Sequence, residues 1–340
     1  MIHVRTCDES DAAAWDDFVR QARGASVYHL WHWRRVLGTH FGHEPFYLAA
    51  WVQDRIRGVL PIIALERPWT RPSLHSLPFV NRGGVVADDP SVAEALVDQA
   101  VALAQRIGAS RLEFRHRAET VCRLPARTHR VSMVRRLPPD RERLWKEIGP
   151  KLRNQVRKAD RSGLVVEQGS TELVADFHHV FVHNMKRLGS PTWGRDLFEE
   201  VTRTFPDRAR IFVVRFGTLP VAAGLVLWFQ DTVEVPWASS LRPFDHLCGN
   251  VRLYWQMLAE ATEAGFDRFD LGRCAPGSPQ HRFKRHWGAE EVPLAWHTWP
   301  APPAHEGLET HRDTLADLWR KLPLWATRIL GPPVRRLLPQ

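Results

Sequence analysis

The stretch Ile211-Phe212-Val213-Val214-Arg215-Phe216, the turn Gly217-Thr218-Leu219-Pro220, and the run Val221-Ala222-Ala223-Gly224-Leu225-Val226-Leu227-Trp228-Phe229 decide how this chain folds. Two runs rich in β-branched and aromatic residues flank a Gly/Pro turn, which is the pattern of neighbouring strands. Before them, residues 164–168 read as a strand and 173–188 as a helix. Phe177, Val180, Phe181, Asn184 and Leu188 lie on nearby faces of that helix. Residues 197–205 read as a second helix. After the hairpin come a third strand over 232–238, a helix over 251–264 and a strand over 268–271.

The first half has the same order. Residues 2–5 read as a strand, and 11–21 and 28–37 as helices, the first with acidic residues at its start. Strands over 46–52 and 56–65 flank Gln53-Asp54-Arg55, and a loop runs from Asn81 to Gly84. A helix over 92–107 ends at Gly108 and is followed by a strand over 112–115. Strand, two helices, a strand meander, a helix and a strand, twice over, predict a tandem α+β architecture. That order is similar to the N-acetyltransferase (GNAT) fold. The expected divisions are 1–138, a basic linking helix over 139–163, a second domain over 164–300, and a tail over 301–340.

The chain has 340 residues, enough for two domains with cores, and its formal net charge is +9. Such a charge favours anionic partners: nucleic acid, phosphorylated intermediates or an acidic membrane face. No apolar run is long enough to cross a bilayer. The start, Met1-Ile2-His3-Val4-Arg5, is not that of a secretory signal, so a cytoplasmic location is expected. Cys7, Cys122, Cys248 and Cys274 are scattered without metal spacing. His179 and His183 stand four apart but have no evident third ligand, so no metal is assigned.

Residues 141–161 carry eight basic and three acidic residues, about +5. Pro150 is placed to open a helix, with Ile148, Leu152 and Val156 as its apolar stripe. Lys151, Arg153, Asn154, Arg157, Lys158 and Arg161 fill the rest. That run reads either as a solvated face or as an anion site. After Pro302-Pro303, a Trp-bearing basic segment over 313–330 carries Trp319, Leu322, Trp325 and Ile329 with Arg320, Lys321 and Arg328. It suits either an anionic membrane surface or the protein's own surface.

The segment Phe269-Asp270-Leu271-Gly272-Arg273 ends a strand in a carboxylate, a glycine and an arginine. Phe283-Lys284-Arg285-His286-Trp287-Gly288 then places a lysine before a Trp-Gly turn. An amine attacking an ester or thioester needs a held geometry and a cation for the developing oxyanion. Asp270 either orients or deprotonates the amine or caps a turn near Gly272. Arg273 suits a bidentate grip on phosphate or carboxylate. Trp193, Trp237 and Trp287 either stack on a sugar or base or pack in the core. Cys274 has no evident base to make it a nucleophile.

The string Lys151–Lys158 followed by Gly163 resembles the basic helix of the FemAB-type peptidyltransferases. Asn250–Trp255, Phe269–Arg273, Phe283-Lys284 and Trp287-Gly288, with the Trp319–Pro332 tail, resemble the subgroup associated with PEP-CTERM and exosortase exopolysaccharide systems. The resemblance covers nearly the whole chain. It implies two GNAT-like domains and transfer of an acyl or aminoacyl group to an amine of an envelope or exopolysaccharide precursor. By the matching Phe-Lys motif it gives Lys284 the oxyanion or leaving oxygen.

Lys151, Arg153, Asn154, Arg157, Lys158 and Arg273 would then hold an anionic donor or glycan-precursor acceptor, with Asn184, Ser239 and Trp287 lining the cleft. No cofactor is expected to stay bound. The donor is aminoacyl-tRNA or acyl-CoA. The long helical arm of the bridge-forming members is missing from the sequence. The nearest string to the acetyltransferase Gln/Arg-x-x-Gly-x-Gly/Ala turn, over 105–110, ends a helix where the turn should open one. The other reading is a GNAT-like module that binds a polysaccharide intermediate or tRNA without turnover.

Overall fold

The computed structural model describes residues 1–39, 41–66, 69–117, 120, 122–301 and 310–338. β1 (Ile2–Thr6) and α1 (Ala12–Gln21) are followed by the hairpin of β2 (Glu44–Val52) and β3 (Arg55–Leu65). Short strands β4 (Ser73–His75) and β5 (Val86–Ala87) lead to α2 (Pro90–Arg106) and β6 (Arg111–Arg117). Asp89 caps α2 by accepting from the Ser91 N–H at 2.8 Å, and Pro90 supplies its first turn. The helix buries Val92, Leu96, Val97, Ala100 and Leu103 in one core with Leu60, Ile62 and Phe114.

Next come β7 (Ala126–Arg136), α3 (Arg141–Glu147) and α4 (Pro150–Arg161). β8 (Leu164–Gly169), α5 (Val174–Leu188) and α6 (Arg195–Thr204) precede the meander of β9 (Ala209–Phe216), β10 (Leu219–Phe229) and β11 (Thr232–Ser240). α7 (Gly249–Glu263), β12 (Arg268–Cys274), α8 (Pro279–His286) and β13 (Glu290–Trp299) complete the second half. The tail forms α9 (Thr310–Lys321) and α10 (Leu324–Arg335).

The chain divides into two compact units, residues 1–131, 292–306 and 337–340, and residues 132–291 and 307–336. In the first, the sheet order is β1-β2-β3-β4-β6-β13. β4 and β6 are parallel, and α2 lies between them in sequence. In the second, the order is β7-β12-β11-β10-β9-β8. β11 and β12 are parallel, with α7 between them in sequence. Parallel neighbours need such a crossover helix, whereas the antiparallel pairs are joined by short turns. Each unit also takes an edge strand from elsewhere: β13 pairs with β6, and β7 flanks β12.

Several expectations are corrected. Residues 28–37 are not one helix: a 3-10 turn (Val27–His29) and a π turn (Arg34–Thr39) stand there. Buried tertiary bonds hold the backbone instead. The Trp15 indole donates to the His29 carbonyl at 2.7 Å, and Asp16 accepts from the Trp31 N–H at 2.7 Å. The basic helix α4 is no spacer but part of the second unit. It buries Leu152, Val156 and Ala159, and its Asp160 accepts from Arg252 of α7 at 2.7 Å. The compact units divide at 131/132 and 291/292, where 138 and 300 were expected, and most of β13 runs with the first unit. Pro302-Pro303 lies outside the described residues.

Candidate functional site

The site begins with a proline inside a strand. β10 and β11 pair at Leu225↔Trp237 and next at Leu227↔Glu234, so β11 carries one extra residue at Val235-Pro236. Pro236 has no N–H for the ladder, and a bulge bends the strand that holds it. β11 pairs with β12 only through Thr232↔Arg268, Val233↔Phe269 and Glu234↔Asp270. Past the bulge, β11 continues to Ser240 and β12 to Cys274 without pairing to each other. The two parallel strands therefore part at Asp270.

Lys284 meets β12 where it has parted. α8 is capped by Ser278, whose Oγ accepts from the His281 N–H at 3.2 Å, and it is followed by Gly288 at φ 74°. Lys284 thus sits on a helix, and the expected Trp-Gly turn comes after it. The side chain is buried, and Nζ donates to the Gly272 and Arg273 carbonyls, each at 2.9 Å. Burial pushes the ammonium pKa below the ordinary lysine value, while Cys274 and Asp270 act against that shift. Gly272 has φ 81°, a conformation that favours glycine, and this turns its carbonyl towards the ammonium.

Asp270 is buried, and its Oδ1 accepts from Ser132 Oγ at 2.6 Å and from the Gly272 N–H at 2.8 Å. Of the two roles open to it, this is the turn-capping one. Arg273 follows on the same strand, with its carbonyl on Lys284. Cys274 is buried close enough to influence the ammonium. Asn184 and Ser239 come together, the amide donating to the hydroxyl at 3.1 Å between α5 and β11.

The basic helix divides its residues between structure and surface. Arg153 NH1 donates to the Trp145, Lys146 and Ile148 carbonyls at 3.2, 3.0 and 3.1 Å, closing the C-terminus of α3. These carbonyls have no partner within their own helix, so Arg153 serves the fold here through one of its nitrogens. The Arg157 guanidinium lies 5.5 Å from the Trp145 ring centre. Asn154 and Lys158 are exposed. Lys151 lines a pocket of about 320 Å³ with Leu152, Gln155, Val251, Arg282 and His286.

Trp287 is fully buried and packs beside Tyr254 and Phe283, so it is a core residue and not a stacking platform. Trp193 is likewise buried, under Arg335. Trp237 is partly buried and meets Phe198 edge-on.

Sequence reasoning missed Ser132, Arg282 and His286. The basic run 281–286 was a usable signal for the last two. Ser132 had none, because its partner lies 138 residues away. The turn that opens α7 was missed as well. His246-Leu247-Cys248-Gly249-Asn250-Val251 has the right place, after β11 and at a helix start, and Gly249 has no side-chain cap ahead of it. It departs from the acetyltransferase pattern at His246 and at Val251, which stands where Gly or Ala is required.

In the first unit, ligand atoms of His116, Cys122 and His297 lie within 4.8 Å of one another. His116 Nε2 accepts from the Val85 N–H at 2.9 Å, so its proton is on Nδ1, 3.0 Å from His297 Nδ1. A metal on Nδ1 would move that proton to face the Val85 N–H. The hydrogen bonding therefore fits a neutral imidazole pair better than a metal. His183 Nδ1 is 2.8 Å from the carbonyl of His179, which turns that nitrogen to its own helix.

The family profile of the acetyltransferase (GNAT) domain matches residues 150–285. A comparison of the sequence with curated proteins gave no match. Among solved structures, FemX is similar at 14% identity and TM-score 0.65, over 86% of this chain and 96% of its own. The C-terminal domain of a putative lysylphosphatidylglycerol synthetase from Agrobacterium fabrum is similar at 13% identity and TM-score 0.59, over 90% of this chain and 96% of its own. A tandem GNAT protein from the clavulanic acid biosynthesis pathway is similar at 12% identity and TM-score 0.54, over 90% of this chain and all of its own. With a parallel pair and crossover helix in each unit, and the profile match falling within the second, the chain has a tandem GNAT-like fold whose residues 150–285 are similar to the acetyltransferase (GNAT) domain.

Proposed function

We propose that this protein transfers an aminoacyl or acyl group to an amine of a cell-envelope or exopolysaccharide precursor, with Lys284 at the reacting carbonyl. One observation carries the reading: a buried ammonium held by two backbone carbonyls where parallel strands part. Lysine has three N–H donors, and two are already directed. The third is left for the oxyanion that forms when the amine attacks the ester carbon, or for the leaving oxygen. A donor fixed in a dry site contributes more to such an oxyanion than one in water. Asp270 keeps Gly272 in place and so keeps the lysine aimed.

Lys151, Arg282 and His286 would hold the phosphate-bearing part of a substrate at the α4 pocket. Val251 stands where the acetyltransferase turn has Gly or Ala, and this departure speaks against a conventional CoA cradle. Aminoacyl-tRNA is the favoured donor, in keeping with the +9 charge. The likeness to FemX, and to a synthetase whose name denotes an aminoacyl-lipid product, supports the same direction.

The test is mass spectrometry of products formed with amine acceptors, offering aminoacyl-tRNA and acyl-CoA separately. An aminoacylated acceptor from the first donor alone is expected. Acceptors modified only by acyl-CoA would change the donor. Saturable binding with no product from either donor would make the chain a binding module.

A further inference from the structure

We propose that the outward face of the two C-terminal helices docks the protein on an anionic lipid bilayer. These helices show the reverse of the usual amphipathic arrangement. The residues that α10 buries are small: Ala326, Thr327 and Gly331. A side chain at Gly331 would meet Thr192 Cγ2 at 2.7 Å, and one at Gly189, which ends α5, would meet the Ala316 carbonyl of α9 at 2.5 Å. Lys186 Nζ donates to the Arg320 carbonyl at 2.9 Å, and the Arg335 guanidinium lies 4.7 Å from the Trp193 ring centre. The pair is therefore seated on α5 through close backbone approach.

The large apolar side chains point the other way. Trp325 is 67% exposed and Ile329 64%, and Leu315 and Leu318 are exposed on α9. Trp325, Arg328 and Ile329 share one stripe of α10 at i, i+3 and i+4. Residues 314–336 hold five basic residues and a single acidic one, Asp317. No helix among the described residues is long and apolar enough to cross a membrane. An apolar stripe with tryptophan and a cationic border is the surface of a helix that lies in the headgroup region. A second copy of this chain would bring the same positive charge to the face, and an anionic bilayer brings the opposite one.

The experiment is co-sedimentation of the full chain with vesicles of phosphatidylcholine alone, and of phosphatidylcholine with phosphatidylglycerol. The chain is expected to sediment with the anionic vesicles and at least tenfold more weakly with the neutral ones. W325E/I329E should lower binding more than tenfold. K321Q/R328Q should lower it about fivefold for each cation removed. Both variants alter exposed residues, so their circular dichroism and melting temperature should match the parent. Absence of binding to anionic vesicles, or equal binding to both kinds, would overturn the proposal. So would a parent dimer in sedimentation velocity that W325E/I329E dissolves, because the face would then belong to a second copy.

Discussion

Replacing Lys284 by methionine separates chemistry from architecture at the parted strands. The change removes two charge-assisted hydrogen bonds to the Gly272 and Arg273 carbonyls, each worth about 1.5–3 kcal/mol. It also removes a buried ammonium, whose desolvation costs several kcal/mol. The two effects oppose each other, so stability should stay within about 2 kcal/mol of the parent. A pH signature accompanies this. Burial lowers the folded-state pKa of Lys284 below its ordinary 10.5, so the unfolded chain binds more protons in the window between. The parent should therefore gain stability as pH rises through that window towards 10.5, and the methionine variant should lack this gain. Product formation should fall about 10²–10³-fold, as expected when one oxyanion donor is lost. Urea unfolding followed by circular dichroism at several alkaline pH values, with turnover by mass spectrometry, reads both quantities. Full turnover in a stable variant would remove Lys284 from the reaction. A stability loss above about 4 kcal/mol would make it a pin for β12 instead.

Asp270→Asn keeps an oxygen to accept from Ser132 and Gly272, so its stability should change by less than about 1 kcal/mol. If turnover falls with it by two orders of magnitude or more, measured beside Asp270→Ala, the carboxylate acts as a base and not only as a turn cap. Gly84→Ala should destabilise the first unit by about 2–4 kcal/mol in urea unfolding, because the new Cβ would stand 2.0 Å from the His116 ring; a neutral result would show that the ring can move. His29 and His116 are pushed by burial down to about 4 and about 3. They stay neutral in the folded chain while unfolded imidazoles protonate near 6.5, so stability should fall as pH drops from 6.5 towards 4, by about 1.4 kcal/mol per pH unit for each. A melting temperature that is flat between pH 7 and 5 would contradict this, and His29→Gln should lower the slope by one proton.

What the sequence made legible follows from where burial is local. β9, β10 and α2 are runs in which neighbouring residues are buried together, so their composition declares them. β7 was not legible, because the first half of Ala126–Arg136 is largely exposed and polar. β13 was not either: its exposed start obscures the pattern, and its partner β6 is far away in sequence. α8 has only eight residues, most of them polar, and its buried faces are set by β12 and α7. Charge alone did not reveal one structural role. Arg153 belongs to a run that reads as an anion site, yet its strongest partners are the carbonyls at a helix end. The tail showed an apolar stripe, but Ala326, Thr327 and Gly331 decide which face docks, and small residues leave little trace in hydropathy.

The repeat itself explains why the second unit is the one to test for chemistry. In both units a parallel pair of strands ends at a buried carboxylate, His75↔Glu113 in the first and Glu234↔Asp270 in the second. Two residues further along, the first unit presents the Arg115 carbonyl and the second the Gly272 carbonyl. The first is met by backbone: the Gly83 and Gly84 N–H groups donate to Arg115 O at 3.3 and 3.0 Å. Arg115 itself turns inward, donating to Glu113 at 3.0 Å and to the Val80 carbonyl at 2.8 Å. Burial opposes ionisation of Glu113, but His75 and Arg115 together hold its pKa well below the usual range. There the carbonyl is met by loop backbone, and the arginine side chain is held in a buried ion pair. In the second unit the equivalent carbonyl is met by one side-chain ammonium, which has another hydrogen to give. Two backbone N–H groups fix a loop in the first unit, whereas in the second a lysine on a short helix holds a strand end. The same fold position is thus met once by loop backbone and once by a side-chain ammonium, and the role proposed for Lys284 rests on that difference.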